Sequence, residues 1–297
     1  MNQSNLKPFL KWPGGKTRHK EKIYEIIKEL DLENLTYFEP FVGGGSVFFH
    51  FQPSKAVIND LNSELINVYQ VIKENPRALI VKLDEHKAKF KDNDKDYFYK
   101  IRSMDRNDDY SNISAIDRAA RIIFLNKTCF NGLYRVNQKG YFNTPIGSYE
   151  NPTFYDESNI ISISNYLSSK KIKICNKDYA DIVKDAKKGD LIYFDPPYDY
   201  DEKNIFLSYG EKIFNKSDLI KLRDIAYSLM KRGCFVVLSN NNTKLVNELF
   251  VSSQDKKSLH FIIQPFDVKR LVNSKVSSRS IPVQEVLIYG SNIPTSR

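Results

Sequence analysis

Four consecutive residues, Asp195-Pro196-Pro197-Tyr198, directly follow the apolar run 191–194 and form the sharpest chemical feature of the chain. Two prolines end a strand and stiffen the loop behind it, at the carboxyl edge where open α/β sheets receive their ligands. A carboxylate beside a proline carbonyl offers two acceptors on a rigid frame, and Tyr198 adds a flat aromatic face. Such a set suits an aromatic ring bearing an exocyclic amino group. Read by itself, the same string also fits a stiff surface turn.

A second constellation is Phe38-Glu39-Pro40-Phe41-Val42-Gly43-Gly44-Gly45, placed where a strand gives way to a helix, with Asp60 closing the next strand. Glycines there let a ligand approach the backbone, and a carboxylate one strand over can accept hydrogen bonds from ribose hydroxyls. The spacing is not the dinucleotide G-x-G-x-x-G, and a plain tight turn is the competing reading. A third element, Phe9-Leu10-Lys11-Trp12-Pro13-Gly14-Gly15-Lys16, holds the only Trp of the chain. Its backbone N–H groups and Lys16 could hold a carboxylate-bearing ligand, the alternative being a turn with a packed indole.

These motifs need strands to present them. Short β-branched or aromatic runs alternate with helical patterns, the mark of an α/β protein with a mostly parallel sheet wrapped by helices. Seven strands are expected, over 36–41, 56–59, 171–175, 191–194, 235–239, 259–266 and 285–289. Ser217 is placed as the N-cap of a helix whose apolar face is Leu219, Leu222, Ala226 and Leu229, stopped by Gly233. Residues 61–75 and 243–250 read as further helices. The alternation breaks between about 75 and 155, where helical stretches (77–90, 113–127) lead into a polar run with Lys139-Gly140 near a hairpin turn. The expected organisation is a first catalytic part over 1–75, an inserted subdomain over 76–155 and a second catalytic part over 156–297.

Of the 297 residues, 41% are hydrophobic and 27% charged, enough apolar surface for a large core, which excludes disorder as the main state. A net charge of +9 points to a polyanionic partner. It has an address in the sequence, since 118–149 and 268–284 contain no Asp or Glu while carrying Arg118, Arg121, Lys127, Arg135, Lys139, Lys269, Arg270, Lys275 and Arg279. Both windows are expected to flank one cleft. Cys129, Cys175 and Cys234 are odd in number and lack a C-x-x-C pair, which argues against a disulfide framework and a zinc site and favours the cytoplasm. No apolar run approaches the roughly 18 residues of a membrane span.

The three motifs in this order, together with Phe130-Asn131-Gly132-Leu133-Tyr134-Arg135-Val136-Asn137 and Phe142-Asn143-Thr144-Pro145, resemble the Dam-type DNA adenine N6-methyltransferases (D12 class). The resemblance runs from about residue 8 to 289. It implies S-adenosylmethionine as methyl donor, no metal, double-stranded DNA as substrate, a monomer without an obligate protein partner, and most often GATC as the site. The fold it implies is a seven-stranded Rossmann-like methyltransferase sheet with an inserted helical target-recognition subdomain carrying a β-hairpin. Carried over by motif, Trp12, Gly14, Lys16, Phe38, Glu39, Pro40, Phe41, Gly43, Asp60, Asp178, Tyr179 and Asp195 surround the cofactor, with Asp60 on the ribose and Asp178-Tyr179 beside its adenine. The catalytic set is Asp195, Pro196, Pro197 and Tyr198. Lys11, Phe130, Asn131, Leu133, Arg135, Asn137, Lys139, Pro145, Lys275 and Arg279 are expected at DNA, Phe130 as the wedge and Arg135 on a guanine. Ser148 departs from the pattern, standing where several relatives have an Arg.

The resemblance implies that the target adenine leaves the duplex and that Asp195 and the Pro196 carbonyl accept its N6 hydrogens while Tyr198 stacks on the ring. The residues themselves leave open an N4-cytosine DNA or N6-adenine RNA methyltransferase, which use the same acceptor logic. A dinucleotide-dependent oxidoreductase shares the glycine loop and Asp60 but has no use for 195–198. A DNA-binding protein without catalysis would keep the basic hairpin, but the intact glycine loop and Asp195 speak against it.

Overall fold

The computed structural model describes residues 6–12, 20–28, 30, 34–91, 94–149, 152–198, 214–251, 260–269 and 282–291. Its strands are β1 (Tyr37–Glu39), β2 (Lys55–Asn59), β3 (Lys171–Cys175), β4 (Leu191–Phe194), β5 (Phe235–Asn241), β6 (Ile262–Lys269) and β7 (Pro282–Ser291). They form one seven-stranded sheet in the order β3-β2-β1-β4-β5-β7-β6. The first five run parallel, and β7 lies antiparallel between β5 and β6. The direction of winding reverses between β1 and β4, so a crevice opens there at the carboxyl edge.

The helices are α1 (Lys20–Ile27), α2 (Phe48–Phe51), α3 (Ser63–Glu74), α4 (Pro76–Lys89), α5 (Lys95–Ser103), α6 (Ala115–Thr128), α7 (Glu157–Ser169), α8 (Tyr179–Ile182), α9 (Lys216–Lys231) and α10 (Lys244–Val251). Two cores cover the faces of the sheet, and the strands feed them alternately because successive side chains point to opposite sides. Tyr37, Leu191, Tyr193, Phe235 and Val237 enter the core shared with α1, α3 and α7. Phe38, Ile192, Phe194, Val236 and Leu238 enter the one shared with α8, α9 and α10.

Between β2 and β3 the described residues contribute no strand to the sheet. A third core of Phe90, Phe98, Ile101, Phe124, Leu125, Cys129, Phe142 and Phe154 forms there. Helix α6 joins it to the main body, since Ala119, Ala120, Ile122 and Ile123 pack into the first core. Residues 119–126 are consequently all buried.

β3 and β4 match the sequence expectation residue for residue. β1 is shorter than the expected 36–41, because Pro40 lacks the N–H to extend the ladder. β6 starts later and runs further than expected, and residue 259 lies outside the described residues. β7 is longer than 285–289 because its antiparallel pairing to β6 spans Pro282 to Tyr289. The N-cap of α9 is Asn215, not Ser217: its side chain accepts from the Ser217 and Asp218 N–H groups while Asp218 reaches back to the Asn215 N–H, a capping box. Leu219, Leu222, Ala226 and Leu229 are buried as expected, and Gly233, at φ 82°, ends the helix.

Candidate active site

The carboxylates singled out in the sequence sit at the carboxyl ends of neighbouring strands. Glu39 ends β1, Asp60 follows β2, Asp178 lies three residues beyond β3, and Asp195 follows β4 directly. Glu39 is 2% exposed, and its Oε2 accepts from the Tyr37 hydroxyl at 2.7 Å. Burial pushes its carboxyl well above the usual range, and the charge of Asp195 adds to that while the Tyr37 bond opposes it.

Asp195 Oδ1 accepts a hydrogen bond from Ser239 Oγ on β5 at 3.0 Å. Pro196 is buried, Pro197 exposed and Tyr198 half-buried. Burial, then the charges of Asp195 and Glu285, hold the Tyr198 phenol protonated.

The glycine loop is shaped by its contacts. The Gly43 N–H donates to Asp60 Oδ2 at 3.1 Å, the Asn62 N–H to Asp60 Oδ1 at 2.9 Å, and the Tyr69 hydroxyl to the Gly43 carbonyl at 3.0 Å. Gly43 has φ +49°, and a Cβ there would lie 2.9 Å from Trp12 Cδ1, so the loop needs glycine both for its backbone and for the indole against it. Burial raises the Asp60 pKa against the pull of three backbone N–H groups. A carboxylate has about four acceptor sites, so capacity remains there for a hydroxyl.

Phe41, just before the glycines, lies 5.1 Å from Tyr179, and Phe214 lies 6.3 Å from each of them. The Tyr179 hydroxyl is buried and makes no hydrogen bond among the described residues. Burial moves its pKa up to about 12, so it remains a donor. Asp178 Oδ1 accepts from the Ala180 N–H at 2.9 Å and faces Lys221 Nζ at 3.7 Å. Asn59 ties the two sides together: its Nδ2 donates to the carbonyls of Pro40 and Lys177, each at 3.0 Å, and its Oδ1 accepts from the Lys177 N–H at 2.9 Å.

The segment with Lys11 and Trp12 touches both this pocket and the hairpin after α6. Trp12 stacks on Tyr134 at 4.9 Å and 25°. Asn126 bonds the Lys11 backbone in both directions and donates to the Gly132 carbonyl. The hairpin bonds run from the Asn143 N–H to the Arg135 carbonyl and from the Asn137 N–H to the Tyr141 carbonyl, with Gly140 at φ 78° in the turn. Phe130 is 51% exposed and Asn131 has φ 56°. Lys11, Arg135, Lys139 and Pro145 are exposed and Leu133 is half-buried. The Arg135 guanidinium is steadied by Asn143 Oδ1 at 2.7 Å. Asn137 Oδ1 accepts from the N–H groups of Lys139 and Tyr141 and so holds the turn. Gly14, Lys16, Lys275 and Arg279 lie outside the described residues.

Two arginines of the acid-free window do not line a cleft as expected. Arg118 pairs with Glu64, and Arg121, 1% exposed, lies 2.8 Å from Asp105 and donates to the carbonyls of Ile101 and Arg102. The window lacks acids in sequence, but α3 and the segment after α5 bring acids to it in space. Lys127 is half-buried, and burial lowers its pKa.

The sequence reading missed Asn59, Asn126, Tyr134 and Ser239. One signal for part of this was present: Tyr37-Phe38-Glu39-Pro40 is echoed by Tyr193-Phe194-Asp195-Pro196.

The family described as D12 class N6 adenine-specific DNA methyltransferase matches residues 12–264. The chain is 42% identical over 293 residues to the Type II methyltransferase M1.LlaDCHI of Lactococcus lactis subsp. cremoris, covering 98% of each. It is 38% identical to the Type II methyltransferase M.MjaIII of Methanocaldococcus jannaschii, over 95% of this chain and 98% of the other. A DNA adenine methylase of Vibrio cholerae is 33% identical over 83% of this chain and 85% of its own length.

Proposed function

The chain belongs to the D12 class N6 adenine-specific DNA methyltransferases, and from that premise we propose that it moves a methyl group from S-adenosylmethionine to N6 of an adenine flipped out of duplex DNA, within GATC. The reading includes action in the cytoplasm as a monomer, and the Type II names of two relatives extend it to restriction-modification. The observation that carries it is the Asp195 carboxylate at the carboxyl end of β4, beside the winding reversal and braced from β5.

The residues fit the cofactor. Asp60 has acceptor capacity for a ribose hydroxyl, Phe41 and Tyr179 offer ring faces with a buried hydroxyl to spare, and Gly43 lets the Trp12 indole lie against the loop. Trp12, Phe38 and Pro40 complete the wall, and Gly14 and Lys16 are proposed for the cofactor's carboxylate. When bound, the cofactor supplies an activated methyl group together with its leaving group.

The adenine N6 lone pair is delocalised into the ring, so the protein must make it available. Asp195 and the Pro196 carbonyl accept the two N6 hydrogens, which favours a pyramidal nitrogen, and Tyr198 stacks on the ring. Positioning of this kind supplies most of the acceleration such a reaction needs. Exposed Phe130 fills the gap the base leaves and offsets part of the unstacking cost. Arg135 reads a guanine edge beside Asn131, Leu133 and Pro145, while Lys11, Lys139, Lys275 and Arg279 contact the backbone. The segment 76–155 serves as the target-recognition insertion.

Incubation with unmethylated plasmid and S-adenosylmethionine, followed by sequencing of modified bases, tests this. N6-methyladenine within GATC is expected, and Asp195→Ala abolishes turnover with cofactor affinity largely intact. Transfer to cytosine or only to RNA overturns the base assignment, and an Asp195→Ala protein retaining more than a few per cent of kcat removes the role of that residue.

A further inference from the structure

The echo between β1 and β4 places a tyrosine two residues before each carboxylate, and residues two apart on a strand share a face. Tyr37 and Tyr193 are each 1% exposed. On β1 the bond is direct, Tyr37 Oη to Glu39 Oε2 at 2.7 Å. On β4 it runs through a third residue: Tyr193 Oη lies 2.8 Å from Ser239 Oγ, and Ser239 Oγ donates to Asp195 Oδ1 at 3.0 Å. Ser239 comes from the neighbouring strand and is 0% exposed.

The direction of this relay follows from what each group can do. An ionised carboxylate only accepts, so the single Ser239 proton points at Asp195, and a Ser239 lone pair takes the Tyr193 proton. Tyr193 keeps that proton, because burial, and after it the charge of Asp195, raises its pKa well above that of an ordinary phenol. One serine thus holds the acceptor of the 195–198 loop, from a position 44 residues away.

We propose that Ser239 is a positioning residue for methyl transfer, fixing the plane of the Asp195 carboxylate by passing on the hydrogen bond of buried Tyr193. The role rests on the function proposed above, in which Asp195 meets the target amine. Ser239→Ala leaves the carboxylate in place but removes a bond that helps to set its plane, so the loss falls on the chemical step.

Single-turnover transfer of tritiated methyl from S-adenosylmethionine to unmethylated plasmid DNA tests the role in wild type, Ser239→Ala, Tyr193→Phe and the double variant, with cofactor affinity read from Trp12 fluorescence. Ser239→Ala lowers the rate by about tenfold or more, the scale of a hydrogen bond to a charged group, while cofactor affinity changes by less than about twofold. Tyr193→Phe slows the wild type and has no further effect on Ser239→Ala, because the relay is already cut. The role is overturned if Ser239→Ala stays within about twofold of the wild-type rate, if the two substitutions act independently, or if cofactor affinity and melting temperature fall as far as the rate does. A wild type that transfers no methyl group overturns the proposed function itself, whereas an active wild type with an unaffected Ser239→Ala overturns only the relay.

Discussion

Asn126 offers a test of how the pocket and the hairpin are held together. It lies on α6, 1% exposed, and its amide makes three bonds: the Lys11 N–H donates to Oδ1 at 2.9 Å, and Nδ2 donates to the carbonyls of Lys11 and Gly132, each at 2.8 Å. Gly132 has φ +66°, and a Cβ there would come 2.6 Å from Lys11 Cδ, so the two segments cross with nothing between them. Asn126→Ala removes all three bonds. The Gly132 carbonyl bond is buried, and its loss costs about 1–3 kcal/mol; the two at Lys11 are partly reachable by water, at about 0.5–1.5 kcal/mol each. A total of about 2–6 kcal/mol is a large part of the roughly 5–15 kcal/mol that holds a domain folded. Asn126→Asp is closer in shape yet worse, because it keeps the acceptor for Lys11 but turns an oxygen toward two carbonyls in a buried place. Urea unfolding at pH 7 ranks the three proteins wild type, Asn126→Ala, Asn126→Asp in falling stability. An alanine variant losing less than about 1 kcal/mol, or an aspartate variant more stable than the alanine one, would refute the reasoning.

His86 stacks on Phe124 at 4.9 Å and 17°, with Nδ1 2.8 Å from the Tyr97 hydroxyl, and burial, followed by the charge of Lys89, moves its pKa from 6.5 down to about 4. The folded protein disfavours the charged ring, so its contribution is complete above pH 6.5 and is lost as pH falls from there to about 4, by at most about 3 kcal/mol. His86→Phe should flatten that part of the stability profile, and an unchanged slope between pH 6.5 and 4 counts against the assignment. For DNA, Arg135→Ala should cost about 1–3 kcal/mol on the cognate site and little on scrambled sequence; equal weakening on both, measured by titration at fixed salt, removes its base-reading role.

Local patterns made much of this molecule readable. Short β-branched and aromatic runs marked β3 and β4 to the residue, and the prolines at 196 and 197 marked where the chain leaves β4 for a loop. Because parallel strands all point the same way, that was enough to put Glu39, Asp60, Asp178 and Asp195 on one edge. The apolar face of α9 was legible for the same reason, although its cap was misplaced by two residues, Asn215 and Ser217 both being good caps.

What sequence could not decide was which residues meet. Ser239 reaches Asp195 only because β5 lies beside β4, and Asn59 and Asn126 close on partners 118 and 115 residues away. Charge misled for the same reason: Arg118 and Arg121 sit in an acid-free stretch yet face Glu64 and Asp105. Backbone propensity and side-chain period act over a few residues and are written in the chain directly. Hydrogen bonds and ion pairs act over about 3 Å of space, and only the winding of strands and helices around the sheet brings such distant positions within that reach.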